Sequence, residues 1–195
     1  MPLGANKAAI MGVAGVSTGD VVLLSSQTAD GDSAISFTSG IDSTYGEYIF
    51  KVYNMNPATD SQHFGVQFNA SSQSGYNETI TSSFFRARNA ESGASAALEY
   101  LAGYDQAQGT AAQVLSSSVG NDADQNCAGE LHLFNPSSTT YAKHFIAKFN
   151  NTQDGETAQN EFAAGYINVT AAITNVQFAM SSGNFDGTIK MWGVK

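Results

Sequence analysis

Residues 43–57 read STYGEYIFKVYNMNP, and no other stretch of the chain holds so long a run of aromatic and β-branched side chains. Its odd positions are Tyr45, Glu47, Ile49, Lys51 and Tyr53. Its even positions are Gly46, Tyr48, Phe50, Val52 and Asn54. A period of two places Tyr48, Phe50 and Val52 on one face and Glu47 and Lys51 on the other. That pattern predicts a half-buried strand in the middle of a sheet. The stretch closes on Asn54-Met-Asn-Pro57, because proline has no N–H to continue a central ladder.

Other segments repeat the signal. Residues 20–25 and 34–38 read as short strands around a turn with an Asp30-Gly31 pair. Residues 63–69 alternate, with Phe64, Val66 and Phe68 expected inward and His63, Gln67 and Asn69 outward. Residues 77–88 alternate less cleanly around Ile80, Phe84 and Phe85. Residues 89–128 are ambiguous, with short helices expected at 95–101 and 107–115 beside one or two weak strands. Residues 130–134 and 141–149 form a hairpin around Asn135-Pro136. Residues 150–161 read as a polar loop and 162–170 as a strand. Residues 173–181 and 188–194 make the last hairpin. Eight to ten short strands with evenly spaced turns predict an all-β, antiparallel β-sandwich, a jelly roll in its best-fitting form. A fibronectin-like sandwich is the alternative. Residues 1–19 are small-residue rich and lack a clean period. They read as an extended N-terminal arm, leaving residues 20–195 as the sandwich domain.

Composition narrows the setting. The chain has 195 residues, enough for one domain with a full core. Charged residues are 13%, about half of the usual 25%, so Ser, Thr, Asn, Gln and Gly must supply the polar surface. The net charge is −9, and the basic residues are spread thinly along the chain. Contact with nucleic-acid phosphates is therefore not expected. One cysteine, Cys127, excludes an internal disulfide framework and reads as a small residue in a Gly/Ala-rich loop. No signal peptide or membrane span is visible near the start. No export route is written in the sequence, so an extracellular role would need another exit, such as release in an assembled particle.

No catalytic, cofactor-binding or metal-ligating residue is expected. His132 and His144 fall roughly opposite each other if the 130–149 hairpin turns near Ser138. Two ligands do not complete a zinc site. Asp30, Asp32, Asp42, Asp122 and Asp124 lie in loops that do not complete a calcium pattern. Glu47 has no second acid assigned to it, as a glycosidase would require. There is no nucleophile elbow and no phosphate-binding glycine loop. The glycosylation-like triplets at Asn69, Asn77, Asn150 and Asn168 are read as coincidental. Tyr45 and Tyr53, with Trp192, are expected on the face away from the core. Such aromatics suit a subunit interface or, less well, a sugar-stacking surface.

The strings FTSGIDSTYGEYIFKVYNMNPATDS (residues 37–61), GELHLFNPSSTTYAKHF (129–145) and VQFAMSSGNFDGTIKMWGV (176–194) resemble a family of virion structural proteins of marine tailed bacteriophages. The opening MPLGANKAAIMGVAG is similar as well. The resemblance implies a non-enzymatic place in a phage particle. The first expectation is a capsid decoration or cement protein on the outer head surface. It would be a homotrimer held by its arm and one sandwich face to the major capsid protein or another virion protein. The alternative is a tail-fibre or receptor-binding head, with loops 69–76 and 150–161 meeting host glycans. A free lectin is a third. No cofactor, nucleic acid or membrane partner is implied.

Overall fold

The computed structural model describes residues 20–195; the expected arm, residues 1–19, lies outside the described residues. The described chain is all-β, with thirteen antiparallel strands. They are β1 (Val21–Asp32), β2 (Ile35–Phe37), β3 (Glu47–Pro57), β4 (Gln62–Ala70), β5 (Ile80–Ala90), β6 (Ala96–Tyr100), β7 (Ala107–Gly109), β8 (Gln113–Val119), β9 (Cys127–Phe134), β10 (Lys143–Gln153), β11 (Thr157–Ile167), β12 (Ile173–Met180) and β13 (Phe185–Val194).

Eight of them make a jelly roll. One four-stranded sheet has the order β1-β13-β3-β9, and the other β2-β12-β4-β8. Successive strands therefore cross in pairs from sheet to sheet, as two interleaved Greek keys require. The remaining strands are insertions. The β10–β11 hairpin and β5 extend the first sheet beyond β9, and β6 and β7 pair with β5. A single bridge, Gln153 to Val119, ties β10 to β8, so the whole assembly nearly closes into a barrel.

Period-two alternation explains which face of each strand turns inward. In β10, Lys143, Phe145, Ala147, Phe149 and Asn151 are buried, while His144, Ile146, Lys148 and Asn150 are exposed. In β3, Tyr48, Phe50 and Val52 are buried as their pattern demands. Phe178 sits at the hub of the core. Its ring lies 5.4 Å from Phe50, 5.9 Å from Phe64 and 6.3 Å from Phe37, separations at which aromatic pairs add to simple burial.

Four expectations are corrected. The segments at 95–101 and 107–115 are not helices; they hold β6, β7 and the start of β8. Neither had an apolar stripe to bury at helical spacing, and each finds a sheet partner instead. The polar segment 150–161 is almost wholly strand, with a turn only at 154–156. β1 runs on through the Asp30-Gly31 pair, where a register shift replaces the expected turn. Cys127 opens β9 and is fully buried. Gln67 and Asn69, expected outward, do leave the core face of β4, but both are buried. The Gln67 amide donates to Thr110 O at 2.9 Å and Ala111 O at 3.1 Å in the connection before β8, and Asn69 accepts the Tyr76 N–H at 2.7 Å from the loop after β4.

Candidate functional site

The extended first sheet presents one broad outward face. Its registers sort that face into rows of side chains. One row runs Leu23, Trp192, Ile49, His132, Ile146, Ala164. Beside it lie Val21, Val194 and Glu47, with Phe134. The next row runs Lys190, Lys51, Glu130, Lys148, Phe162, Phe85, Tyr100. Seven of the eight large exposed hydrophobic residues among the described ones stand on this face: Val21, Leu23, Tyr53, Phe85, Leu98, Tyr100 and Ile146; only Tyr141, in a loop, does not. The face therefore has two halves. One is apolar and begins at Val21. The other mixes aromatic rings with lysines.

Between the lysine-bearing strands lies a groove of about 370 Å³ whose wall includes Lys51, Tyr53, Glu130 and Lys148. Ala128 and Gly129 also line it. A β-carbon on Gly129 would lie 2.3 Å from the Lys148 carbonyl and 2.6 Å from the Phe149 ring, so only glycine lets β10 approach this closely. Asn150 and Asn160 complete the polar wall, and the Asn150 amide is held by the Gln159 carbonyl at 2.7 Å. The Lys190 ammonium lies 5.5 Å from the Tyr53 ring centre, and Lys148 lies 5.8 Å from Phe162. Phe162 in turn stacks on Phe85 at 4.9 Å. Lys51 and Glu130 approach to 3.9 Å across open solvent, a contact of small worth.

The histidines do not pair. His132 faces Ile146 and Leu133 faces Phe145, which leaves His144 one pair along, against Tyr166. The hairpin loop is longer than a turn at Ser138 and shifts the register. His132 instead stands between two acids: Nδ1 is 2.5 Å from Glu47 and Nε2 is 3.5 Å from Glu130. Sequence reasoning left Glu47 without a second acid; strand pairing supplies Glu130 on the neighbouring strand. Among the described residues, no group of three or more His, Cys, Asp or Glu side chains is arranged to hold a metal ion. His63 is half-buried beside Tyr104 and accepts the Ser118 N–H at 2.9 Å, and burial lowers its pKa.

The loop aspartates serve turns. Asp42 caps Thr44 N at 2.8 Å, and its hydrogen bonds with Thr44 hold its carboxyl below the usual range. Asp30 and Asp32 lie at the end of β1, where Asp186 accepts the Gly31 N–H at 2.7 Å. Of the outward aromatics, Tyr53 is exposed and Trp192 half-buried. Tyr45 differs from expectation: it packs edge-on against Tyr48, over Gly193.

A second polar cluster is buried where β11 and β5 fold over β8. Glu161 accepts the Ser117 N–H at 2.9 Å and the Ser117 hydroxyl. Asn151 donates to Ser116 Oγ at 2.8 Å and Ser117 O at 2.7 Å. Arg86 donates to Gln159 at 2.6 Å and to Glu99 at 3.1 Å. Burial pushes the Glu161 carboxyl up, and also pushes up the adjoining Cys127 thiol. Nothing in the sequence marked this cluster, because its members come from five strands, β5, β6, β8, β10 and β11.

No protein-family model matches the chain, and no curated protein matches it. A solved protein of unknown function from Bacteroides ovatus aligns over 71% of this chain at 8% identity with a TM-score of 0.20. The chain spans 46% of that structure's length. A likeness of this size carries no argument about fold or function.

Proposed function

We propose that this protein is a non-enzymatic structural subunit of a tailed-phage particle, a decoration protein on the outer head surface. The observation that carries the reading is the apolar half of the sheet face. Val21 is 56% exposed, Leu23 45% and Ile146 53%, and Ile49, Phe134, Trp192 and Val194 adjoin them half-buried. The Glu47–His132 pair stands within these rows, and an exposed apolar patch bordered by polar groups marks a contact surface. The patch starts one residue after Asp20, so an arm and this half-face could grip the same capsid neighbour. The acidic net charge favours a position away from packaged DNA. A trimer on capsid threefold positions belongs to this proposal, as do the virion location and the major capsid protein as partner.

Quantitative mass spectrometry of purified virions tests it. A ratio to the major capsid protein near one to one, or one trimer per threefold, supports decoration. A ratio of a few per cent moves the protein to the tail, and absence from the particle removes both placements. The cationic, aromatic groove favours a second reading, a receptor-binding head that meets host glycans.

A further inference from the structure

We infer that the groove between Tyr53 and Lys148 is a binding site for an anionic saccharide, a sugar chain bearing carboxylate or sulfate groups. The inference concerns the ligand of the groove and holds wherever on a particle the protein sits, so the copy-number result and this one can fail separately.

The chain carries 8 basic residues against 17 acidic ones. Arg86 and Arg88 are engaged with Glu99. Lys143 is buried and donates to three backbone carbonyls. Among the described residues that leaves Lys148, Lys190 and Lys195, with Lys51 held only by the exposed 3.9 Å contact to Glu130. Lys51 and Lys148 line the groove, and Lys190 stands over its Tyr53 wall. The one acid in the wall is Glu130. Three of these four amines thus stand around one concavity, against the single carboxylate of Glu130, and an anion is the complementary occupant.

The rest of the wall specifies more than an anion. Tyr53, 41% exposed, offers a ring face, and aromatic surface of that kind packs the apolar face of a sugar ring. Asn150 and Asn160 offer amide donors and acceptors, which suit hydroxyl groups. The two halves of the site are coupled. Lys190 lies over the Tyr53 ring at cation–π distance. A carboxylate or sulfate entering the groove draws the ammonium from the ring, and the freed face receives the sugar. A neutral sugar lacks that lever. A simple anion gains nothing from the ring.

The test uses the full chain and titration calorimetry with four probes: a galacturonate tetramer, its methyl ester, a sulfated tetrasaccharide and inorganic sulfate. The galacturonate or the sulfated chain is expected to bind saturably and at least about tenfold tighter than the ester or inorganic sulfate. The two acidic probes show which acid group the site takes. Exchanging both Lys51→Gln and Lys148→Gln should abolish the advantage of acid over ester. Tyr53→Ala should weaken the saccharide about fivefold and leave inorganic sulfate unchanged. All three side chains are exposed, so these variants keep the fold. Ester binding equal to acid binding overturns the inference, as does inorganic sulfate binding as tightly as the saccharides. So does the absence of saturable binding by either acidic chain up to about 10 mM.

Discussion

At the scale of single residues, two buried ionisable groups decide more than their neighbours. Lys143 is 1% exposed on the core side of β10, a position where the alternating pattern calls for an apolar side chain. Its ammonium donates to the carbonyls of Val169 at 3.0 Å, Thr170 at 2.7 Å and Ala171 at 2.5 Å, which fixes the link from β11 to β12. Lys143→Met keeps the stem and removes all three bonds. It should cost about 3 kcal/mol in urea unfolding, because three partly covered carbonyls would lose their charged donor. Glu161 gives a pH signature. Burial raises its carboxyl pKa in the native state, so the folded chain holds that proton more tightly than the unfolded one. The associated stability is full below the ordinary glutamate value of 4.5 and is lost as pH rises through the raised native value. Urea titrations from about pH 4 to pH 8 should show wild-type stability falling more steeply than that of Glu161→Gln. Parallel curves would mean the carboxyl is as well solvated inside as outside. Neither residue could be singled out from the sequence. Lys143 looks like any surface lysine in a hairpin, and Glu161 sat in a segment whose polarity read as loop.

At the scale of elements, the legible strands were those with one dry face. β3, β10 and β12 alternate because one side meets the aromatic core and the other meets solvent. The missed strands lack that contrast. β8 is buried on both sides, against the core and against the β11–β5 flap, with Ser116 and Ser117 both inaccessible. Its QVLSSSV therefore shows no period of two. β6 is the opposite case: an edge strand of five residues with Leu98 77% and Tyr100 59% exposed, so no face is dry. That difference should be visible in native-state amide exchange. β6 and β7 have few buried contacts and should exchange at low opening free energy. β3, β10 and β13, each paired on both sides or sealed by the core, should exchange only near global unfolding. Equal protection in β6 and β10 would show that the flap is held by something beyond the described residues.

At the scale of the whole molecule, the sandwich was readable because hydrophobic alternation and turn spacing are local signals. The face was not, because a face is made by register. Lys51, Lys148 and Lys190 are scattered through the chain, yet β13, β3, β9 and β10 bring them to one groove, while Leu23 and Ile146 fall toward the two ends of the adjoining row, with Trp192, Ile49 and His132 between them. This division gives the two surfaces different physics. Association through the apolar half buries hydrocarbon and depends little on ionic strength. Binding in the groove pairs exposed charges, which salt screens over a Debye length of about 10 Å at 0.1 M and 3 Å at 1 M. Raising sodium chloride from about 0.05 M to 0.5 M should leave retention on particles within about twofold, while weakening an acidic saccharide by about tenfold. Leu23→Glu with Ile146→Glu should reverse the pattern, shedding the protein from particles with saccharide affinity intact. Both measurements use the same preparation. If salt strips the protein from particles as readily as it frees the sugar, then the lysine-bearing half, not the apolar half, makes the particle contact.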